Sequence, residues 1–149
     1  MRSALNTERA NSLNDRKEPG LRVLIVEDHQ DSAVSCAMLL EALGHQARIC
    51  TNPLDALQLF RVFRPQVVLL DLRMPGLDGF TVARQLREEG QQPRPAIIAI
   101  TGYDGEEHRE KAEQDFDFYY RKPMQPKVLQ GLLAAVRLFL AEQTVSEWR

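Results

Sequence analysis

Three stretches of this chain are apolar at nearly every position: LRVLIV (21–26), VVLL (67–70) and AIIAI (96–100). Short unbroken runs of this kind, bounded by polar or turn residues, fit parallel strands buried on both faces. Between them the apolar positions recur at helical spacing. DSAVSCAMLLEALG places Ala33, Cys36, Ala37, Leu40 and Leu43 on one face, with Asp31 as a candidate cap and Gly44 as a natural stop. NPLDALQLFRVF begins with an Asn cap and a proline in the first turn, then repeats Leu54, Leu57 and Phe60 or Phe63. FTVARQLREEG, the polar DGEEHREKAEQDF and the long QPKVLQGLLAAVRLFLAEQ read as three more helices, and Asp78 as a turn or cap residue before the first of them. QARICT and FYYRKP complete the strands. The sum is strict β-α alternation repeated five times. It predicts an α/β fold with a doubly wound, five-stranded parallel sheet and helices on both faces, (βα)5.

In such a sheet the functional crevice lies outside the carboxyl ends of the strands. The first strand ends in Glu27–Asp28, the third in Asp71, the fourth in Thr101 and the fifth in Lys122–Pro123. Three carboxylates, a hydroxyl and an ammonium therefore meet on one rim. Two like charges about 4 Å apart repel by about 4 kcal/mol at an effective dielectric of 20, so the acids call for a cation. An oxygen-only donor set suits Mg2+, which keeps waters and accepts a phosphate oxygen. The chemistry this predicts is Mg2+-assisted phosphoryl transfer: Asp71 as nucleophile, Lys122 offsetting phosphoryl charge, Thr101 donating its hydroxyl.

VLIVEDH, VVLLDLRMPGLDGF, AIIAITGY and YYRKP, in this order and spacing, resemble the receiver domain of two-component response regulators. The resemblance implies a flavodoxin-like fold with strand order 2-1-3-4-5. It implies an N-terminal extension over 1–20, a receiver domain over 21–142 and a tail over 143–149. Glu27, Asp28, Asp71 and the backbone carbonyl of Arg73 would hold Mg2+. Asp71 would be the phosphoacceptor. Thr101 and Lys122 would be the switch hydroxyl and lysine, and Tyr119 the aromatic switch residue. The Lys122–Pro123 bond would be cis. Asp115 stands where many relatives have glycine, which points to a left-handed backbone there. Arg73 and Tyr103 occupy places that influence the lifetime of the phosphoryl group, and their bulk predicts slow self-hydrolysis. The implied donor is a sensor histidine kinase or a histidine phosphotransfer protein. The reader would be a downstream protein at the face of the fourth helix, fifth strand and last helix, with a homodimer as an outcome of phosphorylation. Catalysis would be limited to the protein's own phosphorylation and dephosphorylation. TGYDGEEHRE and DFDFYYRKPM resemble receivers joined to hybrid sensor kinases, which favours a relay or adaptor role. The alternatives are a phosphorelay intermediate and a receiver-like binding module that never takes up phosphate.

Composition narrows the rivals. The 149 residues suit one domain, and 44% apolar and 27% charged residues are ordinary for a soluble protein. A net charge of -2 makes no electrostatic case for nucleic acid. No apolar run is long enough for a membrane span, and the N-terminus has no signal-peptide core, so a cytoplasmic protein is expected. No DNA-binding or catalytic segment follows the last helix, so a stand-alone receiver is expected. Cys36 and Cys50 lack metal or disulfide spacing and read as reduced packing residues. A phosphatase of the haloacid dehalogenase type wants a second Asp two residues after the first, where Arg73 stands. A flavin binder needs a phosphate-cradling loop, where the acidic EDHQDS stands. His29 reads as a rim residue, His45 as a cation at a helix end, and His108 as part of a solvated helix face.

Overall fold

Each apolar run forms a strand. The structure, a computed structural model, describes residues 19–102 and 114–146. The elements are β1 (Arg22–Val26), α1 (Gln30–Ala42), β2 (Gln46–Cys50), a 3-10 turn (Pro53–Asp55), α2 (Ala56–Phe63), β3 (Val67–Asp71), α3 (Gly79–Glu88), β4 (Ala96–Thr101), β5 (Phe118–Arg121) and α4 (Pro126–Ser146). All five strands pair in parallel, in the order β2-β1-β3-β4-β5. That is the predicted doubly wound sheet. The helix expected over 104–116 falls largely outside the described residues, as do Tyr103, His108 and most of the N-terminal extension.

Strand alternation divides the core in two. Leu24, Val26, Val68, Leu70, Ile97 and Ala99 pack under α2 and α3, meeting Phe60, Val82 and Leu86. Val23, Ile25, Val67, Leu69, Ile98 and Ile100 pack under α1 and α4, meeting Leu40, Leu129 and Leu133. Because β3 is central, all five of its residues are buried. Each fully buried Leu, Ile or Phe contributes roughly 1.5–3 kcal/mol, so this double layer supplies the main driving force for folding.

Local signals gave most helix ends. Asn52 caps the 3-10 turn by accepting from the Leu54 N–H at 3.1 Å, and Asp78 caps α3 from the Thr81 N–H at 2.8 Å. Gly44 ends α1 with φ +92. Four expectations are corrected. The cap of α1 is His29, whose Nδ1 accepts from the Ser32 N–H, while Asp31 sits in the first turn. His45 is not a helix-end cation: its Nδ1 accepts the Leu21 N–H at 3.0 Å. Burial and the nearby Arg137 guanidinium hold its pKa below the usual value. Leu54 is 74% exposed, because the 3-10 turn rotates it off the face that carries Phe60. Asp115 does not need a left-handed backbone: among the described residues, Arg64 is the only non-glycine with positive φ.

Gly79 begins α3 where the chain returns over the end of β3. A Cβ there would lie 2.6 Å from the Asp71 carbonyl oxygen and 2.9 Å from the Leu72 Cα. Both are backbone atoms and cannot rotate away. Gly79→Ala is expected to lower stability by about 1–3 kcal/mol, read from the urea midpoint at unchanged m-value.

Candidate functional site: an acid pocket bridged by a lysine

Asp71 and Thr101 end their strands, Glu27 and Lys122 follow theirs directly, and sheet-type hydrogen bonds continue at these ends. Glu27 N–H donates to Cys50 O at 3.0 Å, and Lys122 N–H donates to Thr101 O at 2.9 Å. Leu72 N–H, just after Asp71, donates to Ile100 O at 3.2 Å. The backbones of Glu27, Asp71, Thr101 and Lys122 are therefore fixed by the sheet and not by loops. Strand order then sets the neighbours: β3 lies between β1 and β4, so Asp71 faces Glu27 on one side and the end of β4 on the other.

Glu27 and Asp71 are both buried. Lys122 Nζ reaches both, at 3.2 Å from Glu27 Oε1 and 3.3 Å from Asp71 Oδ2. The other Asp71 oxygen accepts the Arg73 N–H at 2.9 Å. Asp28 completes the cluster: each of Glu27, Asp28 and Asp71 offers one oxygen, all within 4.8 Å of one another. The second Glu27 oxygen, Oε2, is buried and makes no hydrogen bond among the described residues. A buried carboxylate oxygen without a donor is costly, and a divalent cation satisfies it. Three hard oxygen donors fit Mg2+, with Glu27, Asp28 and Asp71 as the residues that would hold it.

Electrostatics point the same way. Burial, reinforced by the adjacent Asp71 carboxylate, pushes Glu27 up to about 8, even with Lys122 opposing. Burial works against the Lys122 charge, but Asp71 and Glu27 outweigh it and raise the ammonium's pKa. Glu27 in the metal-free protein thus carries a proton over a pH range where the unfolded chain does not. The folded state binds more protons between its usual value near 4.5 and about 8, so metal-free stability falls as pH rises through that window. A metal must displace this proton. Apparent Mg2+ affinity is expected to rise up to about tenfold per pH unit from about pH 6 towards 8, then level off. Calorimetric titration at several pH values checks it, and a flat profile would remove Glu27 from the metal shell.

The remaining predicted residues fall close by. Thr101 ends β4, one residue past the partner of Asp71. Lys122–Pro123 is cis, and so is Gln92–Pro93, which had no sequence signal. Tyr119 packs 6.0 Å from Phe116 on the α2–α3 side, with its hydroxyl buried.

One neighbour was missed. Tyr120 has a buried ring, and its hydroxyl accepts the Gln125 N–H at 2.8 Å and donates to Pro123 O at 3.4 Å. It ties down the loop that carries Lys122. Alternation could place the ring inside but could not show which loop the hydroxyl would reach. Tyr120→Phe keeps the ring. It is expected to cost about 1 kcal/mol and to speed hydrogen exchange at the Gln125 amide by several-fold.

Beside the pocket runs a groove of about 650 Å3 between α1 and the β5–α4 loop, walled by Ile25, Cys36, Leu39, Ile100, Pro123 and Met124. Cys36 is half-buried and Cys50 buried, both free thiols. Burial pushes each up to about 11, in keeping with packing roles. No described helix is long and apolar enough to cross a membrane.

Known proteins resemble this chain in sequence and fold. Protein PilH of Pseudomonas aeruginosa is 34% identical over 116 residues, which cover 77% of this chain and 96% of PilH. Transcriptional regulatory protein AfsQ1 of Streptomyces coelicolor is 32% identical over 115 residues, and the chain spans 50% of its length. A CheY-like response regulator receiver domain from Methylobacillus flagellatus matches with TM-score 0.71 at 30% identity, covering 78% of this chain and 98% of that one. The receiver domain of sensor histidine kinase PA1611 from Pseudomonas aeruginosa, solved with a magnesium ion in its active-site cleft, gives TM-score 0.71 at 26% identity, covering 82% and 98%. The family model for the response regulator receiver domain matches residues 23–134. With its sheet order and its acid–lysine pocket, this chain belongs to the response regulator receiver domain family of two-component signalling.

Proposed function

We propose that this protein is a phosphorylation-dependent switch that takes a phosphoryl group onto Asp71. The observation that carries this reading is the position of Lys122 Nζ, shared between Glu27 and Asp71 inside a cluster of three carboxylates. An Asp71 oxygen attacks phosphorus, the bond from phosphorus to the donor's imidazole nitrogen breaks, and the imidazole keeps the electron pair. An acyl phosphate remains on Asp71. Lys122 and the Thr101 hydroxyl pair with its oxygens. Bound Mg2+ would neutralise phosphoryl charge, with the Arg73 carbonyl joining the three carboxylates around it; the magnesium bound in the PA1611 cleft supports this. The product carries up to two negative charges and three strong acceptors, enough to bias a two-state surface. Tyr119 belongs to that surface, and its hydroxyl is buried beside Phe116 on the α2–α3 side. Turnover is confined to this group's arrival and hydrolysis.

The donor is a phosphohistidine on a kinase or phosphotransfer helix. The groove along α1 supports this: it is mostly apolar, opens beside Glu27 and Lys122, and has Val34 and Met38 exposed on the same helix. A donor helix lying there brings its imidazole to Asp71.

Intact-mass measurement after incubation with acetyl phosphate tests the reading. One added phosphoryl group with Mg2+, none with chelator, and its mapping to Asp71 are expected. No labelling with acetyl phosphate, phosphoramidate or a phosphorylated histidine phosphotransfer protein would leave a receiver fold used only as a binding surface.

A further inference from the structure

The end of the sheet opposite the acid pocket carries the opposite charge. There, the start of β1, the α2–β3 loop, the α3–β4 loop and the end of α4 enclose a pocket of about 260 Å3. Arg22, Arg64 and Arg94 line it, and among the described residues no carboxylate does. Arg22 and Arg64 make no ion pair among the described residues. Arg22 Nε donates to Arg64 O at 3.1 Å, which anchors one guanidinium and leaves its terminal amino groups available. Arg94 commits one donor to Asp117 at 3.1 Å, but that aspartate is already shared with Arg87. Gln66 is held by the Arg22 N–H on its Oε1 at 3.0 Å, leaving its amide N–H groups free to donate. Pro93 and Ala141 add an apolar wall.

Three guanidiniums around one concavity repel one another unless an anion lies between them. Guanidinium forks match phosphate oxygens better than any other side chain does. The concavity is half open to solvent, and a single inorganic phosphate at the guanidiniums would leave the apolar surface of Pro93 and Ala141 uncovered. We propose that this pocket binds a small organic phosphate carrying two or more negative charges. Its phosphoryl oxygens would pair with Arg22 and Arg64, and its carbon skeleton would lie on Pro93 and Ala141. The site is separate from Asp71 and does not depend on phosphorylation there.

The test is an amide NMR titration of the full chain carrying Asp71→Asn, in chelator, so that the acid pocket cannot take phosphate. The probe is fructose 1,6-bisphosphate; fructose, inorganic phosphate and hexaglutamate are comparators. Saturable shifts at Arg22, Arg64, Gln66 and Gln92 are expected, with a sub-millimolar Kd that weakens with salt. Arg64→Gln, and separately Arg22→Gln, should weaken it at least about tenfold with shifts elsewhere unchanged. Non-saturating shifts, shifts confined to the Asp71 end, or a Kd unmoved by either substitution would overturn the proposal. Equal binding of inorganic phosphate would remove the organic ligand, and tighter binding of hexaglutamate would replace it with an acidic protein segment.

Discussion

Asp71→Asn should abolish labelling by acetyl phosphate, a loss of at least about 10³-fold, while leaving the fold almost as stable as before. Both halves follow from the geometry. Among the described residues of the pocket, this carboxylate alone combines burial at the centre of the sheet with one oxygen accepting the Arg73 N–H and the other facing Lys122. Asparagine has the same shape, and its oxygen can still accept from Arg73, but it cannot attack phosphorus. On stability, the aspartate takes part in two opposing interactions. It attracts Lys122 at 3.3 Å and repels Glu27 within the same cluster. At an effective dielectric of 20 each is about 4 kcal/mol, and they largely cancel above about pH 8, where Glu27 is ionised, so there the net change should stay within about 1 kcal/mol. Relieved of its neighbour, Glu27 should titrate lower than in the wild type. Intact-mass labelling, thermal melting and a Glu27 carboxyl titration by NMR read the three consequences. A large stability loss would make Asp71 a structural residue first.

Asp117→Ala should do the reverse, costing about 3–5 kcal/mol and lowering Tm by about 10 °C while sparing the labelling rate at low temperature. Asp117 immediately precedes β5, at the end of the sheet away from Asp71. Its carboxylate accepts the Ile97 N–H at 2.9 Å, pairs with the Arg87 guanidinium and reaches Arg94 at 3.1 Å. Arg87 is largely buried and also donates to Asp115 O and Pro95 O. The group clips β5 and the α3–β4 loop to the start of β4. Alanine would leave a buried guanidinium unpaired and a buried N–H unsatisfied, the two most expensive defects a single substitution creates. Asp117→Asn keeps an acceptor for Ile97 and should lose less. Equal melting of all three proteins would reduce the network to surface decoration.

The sequence by itself determined the elements and the acid site. Unbroken apolar runs mark strands buried on both faces, and strict alternation with helices leaves a parallel sheet as the economical arrangement. A parallel sheet gathers strand-end residues on one rim, so Glu27, Asp28, Asp71, Thr101 and Lys122 could be placed together before any geometry was known. Caps at Asn52 and Asp78 were legible because capping acts over three residues. The tertiary structure alone decided what depends on pairs remote along the chain. His45 looked like a helix-end cation until Leu21, 24 residues away, presented an N–H to its ring. The Arg87–Asp117 clip joins residues 30 apart, and the arginine pocket collects Arg22 from the start of β1 and Arg64 and Arg94 from two separate loops. Tyr120 was legible as a core ring but not as the anchor of the loop after Lys122. Periodicity tells which face a side chain leaves from, but a partner across the fold depends on strand order, register and loop path. Those are fixed only when the whole core packs.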